Sequence, residues 1–152
     1  MGIIALLPNT PTLENPKLER ENWTSLKRIS EACWAQGRAD YAAAVTLLDA
    51  GVYFASAFFA QQAAEMVLRA ATIQKQQRVP RGHNLISMSA VLNAPAQVSH
   101  AAGELNPAFL STRNPEAVEG VPAQNFDRKT ARYHLRCAQT IVDWVKADLY
   151  DS

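Results

Sequence analysis

Glycine and proline are placed along this 152-residue chain so that three long stretches are almost free of helix breakers. Residues 17–50 contain only Gly37, and residues 52–79 and 123–152 contain neither glycine nor proline. In all three stretches the apolar side chains recur every three or four positions, which is the period of a helix with one buried face. No segment alternates apolar and polar residues between turn signals, as a strand would. The pattern therefore predicts an all-α fold built on three long helices.

The connections between these helices predict their arrangement. Gly51 directly follows the first long stretch, where a helix C-terminus often turns left-handed, so the first two helices should be antiparallel neighbours. Shorter helices are predicted at about 84–92 and 96–105, and either Asn125 or Asp127 can cap the last helix. These elements together form an up-and-down bundle of four to five helices.

Two segments differ from the helices. Residues 1–21 contain three prolines and are predicted to be an irregular N-terminal arm, ahead of a single helical domain at 22–152. Residues 106–126 contain three further prolines and no helical stripe. A connection of that length inside a bundle is often functional.

Composition restricts the classes of site and partner. The formal net charge of +1 gives no global attraction to nucleic acid or to a membrane surface. Cys33 and Cys137 lie far apart, each without a second cysteine nearby, which favours free thiols in a reducing compartment over a metal site. A single disulfide between the first and last helices stays open at this point. The apolar run at 3–7 meets Pro8 at once and resembles neither a signal peptide nor a membrane span. The sequence thus predicts a cytoplasmic protein, away from the membrane, with no metal and no cofactor.

The central part of the chain carries three motifs in a fixed order. Residues 51–58 read GVYFASAF, residues 61–70 read QQAAEMVLRA, and residues 80–85 read PRGHNL. This order resembles the prokaryotic HEPN domain family (higher eukaryotes and prokaryotes nucleotide-binding), whose pattern is G-x-Y-x-x-A-x-F, then Q-A-A-E-x-x-L-(K/R)-A, then P-x-x-H-x-L. The resemblance extends over roughly 34–145, which is most of the chain.

The resemblance implies a fold, partners and a chemistry. It implies a helical bundle that dimerises through its long helices, and the aromatic side chains of residues 53–59 are expected in the core or at that interface. It implies a frequent pairing with a minimal nucleotidyltransferase protein, often in a toxin–antitoxin operon. Many members are metal-independent endoribonucleases with an arginine followed four to six residues later by a histidine. Other members lack that motif and act as binding modules.

That arginine–histidine spacing occurs at the start of the last predicted helix. Arg128 and His134 are six residues apart there. In a nuclease, His134 would act as general base on a ribose 2′-hydroxyl or as acid on the leaving 5′-oxygen, and Arg128 would stabilise the phosphorane. However, six residues along a regular helix turn two side chains about 120° apart. A solvated helix face is therefore the favoured interpretation. Arg78 and His83 have a similar spacing, but not at the family's usual place for the motif.

Candidate ligand contacts lie in two loops. Arg113 and Asn114 stand where the family often has an Arg-Tyr-Pro loop, and an arginine on a proline-shaped loop suits a phosphate or carboxylate. The alternative is a salt bridge from Arg113 to a nearby loop glutamate. Arg78, Arg81 and Arg113 together would form a local basic patch that the small net charge hides.

Two further candidates are Glu65 and His83. Glu65 could bind a ribose hydroxyl or a base amine, but the favoured interpretation is pairing inside the bundle, for example with Arg69 one turn on. His83 precedes a predicted helix start at Asn84. It either fixes the loop through a backbone hydrogen bond or contacts a phosphate, and the sequence leaves both open.

The residues and the resemblance together predict a homodimeric nucleotide- or RNA-binding module. It would lack catalytic activity and act with a nucleotidyltransferase partner of the toxin–antitoxin type. Two alternatives stay open at this point: a metal-independent endoribonuclease toxin that uses Arg128 and His134, and a structural interaction protein.

Overall fold

The structure, a computed structural model, describes residues 16–151, and its two longest helices form an antiparallel pair. Helix α1 spans Pro16–Asp49 and helix α2 spans Tyr53–Gln76. Gly51 lies in the short turn between them with φ of +79°, a left-handed conformation that glycine adopts without strain. The predicted tight connection between antiparallel neighbours is therefore present.

Two buried serines fix how α1 and α2 lie against each other. Near the turn, Ser56 Oγ donates a hydrogen bond of 2.7 Å to the carbonyl of Ala44. Towards the other end, Ser30 Oγ donates one of 2.9 Å to the carbonyl of Ala70. Between antiparallel helices in one register, the residue numbers of the two partners add up to nearly the same total at every contact. Both bonds give the same total, so α1 and α2 keep one register over most of α2.

The two helices approach closely because small residues line their contact. A Cβ atom added to Gly37 would lie 2.7 Å from Val67 Cγ1 and 3.1 Å from the carbonyl oxygen of Ala63. The alanines of α2 that are fully or almost fully buried are Ala57, Ala60, Ala63, Ala64, Ala70 and Ala71. Such side chains allow helix axes to come together without a cavity between them.

The remaining helices complete the bundle. They are α3 (Leu85–Val91), α4 (Ala96–Leu105), α5 (Ala108–Ser111), α6 (Pro115–Val118) and α7 (Arg128–Leu149), with a 3₁₀ turn at Pro122–Gln124 before α7. Asp127 caps α7, since its carboxylate accepts a 2.8 Å hydrogen bond from the Thr130 backbone N–H. Helix α7 packs on α2 and α4 and buries one apolar stripe. The buried members of that stripe are Ala131, Cys137, Ala138, Ile141 and Val145.

The prediction of an all-α bundle is confirmed, with three differences in detail. Helix α1 begins at Pro16, whereas the sequence predicts an irregular arm up to residue 21; residues 1–15 lie outside the described part. Helix α2 ends at Gln76, three residues earlier than Pro80 suggested, because Gln77 turns left-handed with φ of 53°. Residues 106–126 are not irregular throughout, since they contain α5, α6 and the 3₁₀ turn.

Between residues 16 and 151, no strand forms and no helix is both long and apolar enough to cross a membrane.

Candidate functional site

A buried carboxylate and a loop histidine form the best-defined polar contact of the structure. Glu65, on α2, is 1% exposed. His83 lies in the loop before α3, and its Nδ1 is 3.0 Å from both Glu65 carboxylate oxygens. An imidazole with a proton on Nδ1 donates to a carboxylate whether the ring is neutral or charged. Glu65 therefore pairs inside the bundle, as favoured, but with His83 rather than with Arg69.

Glutamine side chains extend this contact along α2. Gln62 Nε2 donates a 2.7 Å hydrogen bond to Gln61 Oε1, and Gln61 Nε2 donates one of 3.3 Å to Glu65 Oε1. On α1, Gln36 Nε2 donates a 2.8 Å bond to the buried Asp40. Burial raises the pKa of the Asp40 carboxyl, the bond from Gln36 lowers it, and the nearby Glu65 carboxylate raises it further. The region is thus a polar, acidic seam between α1 and α2.

The loop that carries His83 is held at several further points. Arg69 Nη1 donates to the carbonyls of Pro80 and Gly82 at 3.2 and 3.5 Å, so the arginine one turn from Glu65 binds backbone instead of carboxylate. The His83 ring stacks on Phe109 of α5, with 4.2 Å between ring centroids and 18° between planes. The backbone between α2 and α3 is therefore fixed by side chains of two different helices.

Beside this loop lies a groove of ≈ 680 Å³, bounded by the first part of α1, the end of α2 and α3. Two of the predicted patch residues, Arg78 and Arg81, line it together with the side chains of Leu26, Met88 and Val91. Arg113 is not among the lining residues. The structure therefore brings two of the three predicted arginines together in one concave site.

Arg113 and Asn114 lie at the surface between α5 and α6. Arg113 is exposed, and its guanidinium has no hydrogen bond or ion pair within residues 16–151, so the alternative of a salt bridge to a loop glutamate is not seen there. Asn114 precedes α6 without a side-chain cap bond. Both side chains are available to a ligand, but nothing in their surroundings shapes a pocket.

Arg128 and His134 both lie on α7, which is helical from Arg128 onward. Arg128 is exposed, as a solvated helix face requires, but His134 is half-buried with its ring edge-on to Phe126 at 6.1 Å. The interpretation of a solvated face is therefore wrong for His134. A frayed or bent first turn would be needed to bring the two side chains together, and the start of α7 is regular and capped. In the described chain no hydrogen bond joins them.

The His134 ring points one nitrogen into the protein. Its Nδ1 is buried and has no hydrogen-bond partner among the residues that the structure describes. Burial lowers the pKa of His134 below its ordinary value, and the Glu104 carboxylate opposes that only in part. Burial therefore favours the neutral form of the imidazole.

Other predicted features are placed as follows. Residues 16–151 contain no group of three or more His, Cys, Asp or Glu side chains arranged to hold a metal ion. Cys33 and Cys137 are free thiols. Of the aromatic residues on α2, Phe59 packs against the core cluster, and Tyr53, Phe54 and Phe58 are half-buried.

Sequence reasoning missed several parts of this region. The contact between Asp40 and Gln36 is an i, i+4 pair that could have been found from spacing alone. The stacking of Phe109 on His83 joins segments 26 residues apart, and no local pattern signals it. The depth of the Arg78–Arg81 groove depends on where α1 passes α2, which only the folded chain fixes.

Comparison with known proteins gives a consistent picture. The family model for the HEPN domain matches residues 30–148. The crystal structure of TT1696 from Thermus thermophilus is similar, with 29% identity, a TM-score of 0.74, and coverage of 79% of this chain and 98% of that chain. The structure of ST0689, described as an archaeal HEPN homologue, has 28% identity, a TM-score of 0.68, and coverage of 78% and 96%. No curated protein matches the chain.

Proposed function

Because the chain belongs to the HEPN domain family, we propose that it is a nucleotide- or RNA-binding module that does not cleave RNA and that works beside a nucleotidyltransferase partner. The match over residues 30–148 includes α2, the His83 loop and most of α7, so the membership applies to the whole bundle and not to one motif. The partner and its toxin–antitoxin setting come from the resemblance to the family.

The proposal that the protein does not cleave RNA rests on the separation of Arg128 from His134. A metal-independent cleavage of RNA needs a proton-transfer group and a charge-stabilising group directed at the same phosphate. Here the arginine is exposed at the first residue of α7, whereas the histidine has a buried ring nitrogen and a ring contact with Phe126. The pair does not converge on one point within this protomer.

Binding remains well supported by the rest of the surface. The Arg78–Arg81 groove offers guanidinium groups, and Arg113 adds an exposed cation on a separate loop. Phosphate groups supply most of the affinity of a nucleic acid for a protein, and arginine is well suited to bind them. A net charge of +1 then favours local and selective binding over a general affinity for polyanions.

The test is binding of a fluorescently labelled oligoribonucleotide, followed by anisotropy in the presence of EDTA at two salt concentrations. The proposal expects saturable binding that weakens with salt and leaves the RNA intact. Absence of binding to RNA and to mononucleotides by the folded protein would refute the proposal and favour a purely structural interaction protein.

A homodimer is part of this proposal. The half-buried Tyr53, Phe54 and Phe58 at the start of α2 suit a contact between two copies. Light scattering tests it directly, with a mass of about twice the 16.7 kDa chain expected.

A further inference from the structure

The groove beside the His83 loop is lined by positively charged side chains and by no negatively charged ones. Arg78 and Arg81 line it, and none of its lining residues is an aspartate or glutamate. Neither guanidinium has a hydrogen bond or ion pair with any residue from 16 to 151. Two unpaired guanidiniums on one concave surface attract an anion, and the fork shape of each suits phosphate oxygens.

The backbone that carries these two arginines is held in place before any ligand arrives. Gln77 ends α2 in a left-handed conformation, Arg69 binds the Pro80 and Gly82 carbonyls, and His83 is bonded to the buried Glu65. The side chains of Arg78 and Arg81 take part in none of these bonds. A site whose backbone is already ordered loses less conformational entropy when it binds.

Apart from the two arginines, most of the groove lining is apolar, and its polar members are Thr72, Gln77 and Ser87. Its walls include Leu26 from α1, Met88 and Val91 from α3, and Val79 and Pro80 from the loop. Val79 and Val91 are 39% and 40% exposed, although both are aliphatic. The volume of ≈ 680 Å³ lies within the range of small-molecule sites, which are mostly apolar with a few placed polar groups. An inorganic anion would leave these walls unused.

We propose that this groove binds a phosphate monoester of a nucleoside. The phosphate lies between Arg78 and Arg81, and the base packs against the apolar walls formed by Leu26, Met88 and Val91. This inference rests on the proposed nucleotide-binding function and assigns it a place. The same chemistry is offered by a free mononucleotide and by the 5′-phosphate end of an RNA chain.

The experiment is isothermal titration calorimetry with adenosine 5′-monophosphate, using the full chain and variants checked by circular dichroism. Arg78→Ala and Arg81→Ala should each weaken binding by about tenfold or more, because each removes a charge-assisted contact to phosphate. The matched control is Arg38→Ala, which removes one exposed arginine of α1 outside the groove and should leave the affinity unchanged.

A second pair of variants tests the apolar wall. Val91 and Ile86 are both exposed aliphatic residues of α3, but only Val91 lines the groove. Val91→Glu should abolish binding of the monophosphate by placing a negative charge beside it, and Ile86→Glu should have no effect. Adenosine without phosphate, and inorganic phosphate alone, should both bind more weakly than the monophosphate.

Two oligoribonucleotides of the same sequence, with a 5′-phosphate or a 5′-hydroxyl, distinguish the sources. If the wild type prefers the 5′-phosphate oligoribonucleotide and Arg78→Ala loses that preference, the ligand of the groove is an RNA end. If the wild type shows no such preference, the ligand is the free nucleotide.

Several results would overturn the proposal. If wild type, Arg78→Ala and Arg81→Ala bind the monophosphate equally well, the groove is not the binding site, and the nucleotide binds elsewhere on the protein. Binding of phosphate as tight as that of the monophosphate overturns the role of the apolar wall. No binding of any of these ligands by the folded wild type overturns the groove and the proposed function together.

Discussion

His83 Nδ1 lies 3.0 Å from both oxygens of the Glu65 carboxylate, so a loop side chain that is 51% exposed is bonded to a buried carboxylate. The contact ties the loop after α2 to the middle of α2. It also provides a hydrogen-bond donor to a buried acid whose other side-chain donor among residues 16–151 is Gln61. A buried carboxylate without donors is costly, so this contact contributes both stability and the shape of the loop.

Replacement of His83 by alanine should therefore destabilise the fold. Hydrogen bonds to charged groups contribute roughly 1.5–3 kcal/mol, and the exposure of the imidazole reduces this, so a loss of about 1–2 kcal/mol in the free energy of unfolding is expected. Urea denaturation followed by circular dichroism measures it. The control is His100→Ala, because the His100–Glu104 pair at 3.5 Å is exposed on one helix face and should contribute almost nothing. Equal effects of the two variants would contradict the role given to His83.

Two glycines inside helices, one at the contact between α1 and α2 and one in α4, give stability predictions of opposite sign. Gly37→Ala gains helix propensity but places a Cβ 2.7 Å from Val67 Cγ1, so we expect a net loss of about 1–2 kcal/mol from overpacking. Gly103→Ala in α4 meets nothing within 4 Å and should stabilise by about 0.5–1 kcal/mol. Thermal unfolding of both variants measures the sign of each change in stability. Stabilisation by Gly37→Ala would show that the two helices are further apart than described.

The fold was largely predictable from the sequence because helix breakers and apolar periodicity are local signals. Gly51 marked the turn, Asp127 was one of two predicted caps, and α3 and α4 lie within about one residue of their predicted ranges. The end of α2 was not predictable in the same way. Gln77 adopts a left-handed conformation that its sequence does not favour, and the bonds from Arg69 to the following loop stabilise the backbone there.

Burial of His134 gives a prediction for the pH dependence of stability. Because burial lowers the pKa of His134 in the folded protein, the unfolded chain binds a proton first as the pH falls. The free energy of unfolding should therefore decrease as the pH drops below the unfolded histidine value of about 6.5, towards the lower folded pKa. Urea denaturation at pH 7.5 and 5.5 measures this decrease.

The contribution of His134 is isolated by comparison with His134→Gln. The other histidines titrate in both proteins, so the difference between wild type and variant reports on His134 alone. The wild type should lose more stability between the two pH values than His134→Gln does. A loss of the same size in both would mean that His134 is accessible to protons in the folded state.

The candidate site was less predictable than the fold because it depends on contacts between distant segments. The sequence indicates Glu65, His83 and Arg81 as candidate site residues. It does not indicate the bond between Glu65 and His83, because that bond joins positions 18 residues apart across a loop. The spacing of Arg69 four residues after Glu65 suggested a helical ion pair instead. In the structure the arginine donates to the loop backbone, and the histidine bonds the carboxylate.

One assay tests the proposal that the protein binds RNA without cleaving it, which depends on the separation of Arg128 from His134. Purified wild-type protein, Arg128→Ala and His134→Ala are incubated with RNA in EDTA, and the products are resolved by gel electrophoresis. We expect intact RNA in all three reactions, at protein concentrations where binding is saturated. Cleavage by the wild type in EDTA that is lost in both variants would contradict the proposal and identify a metal-independent endoribonuclease.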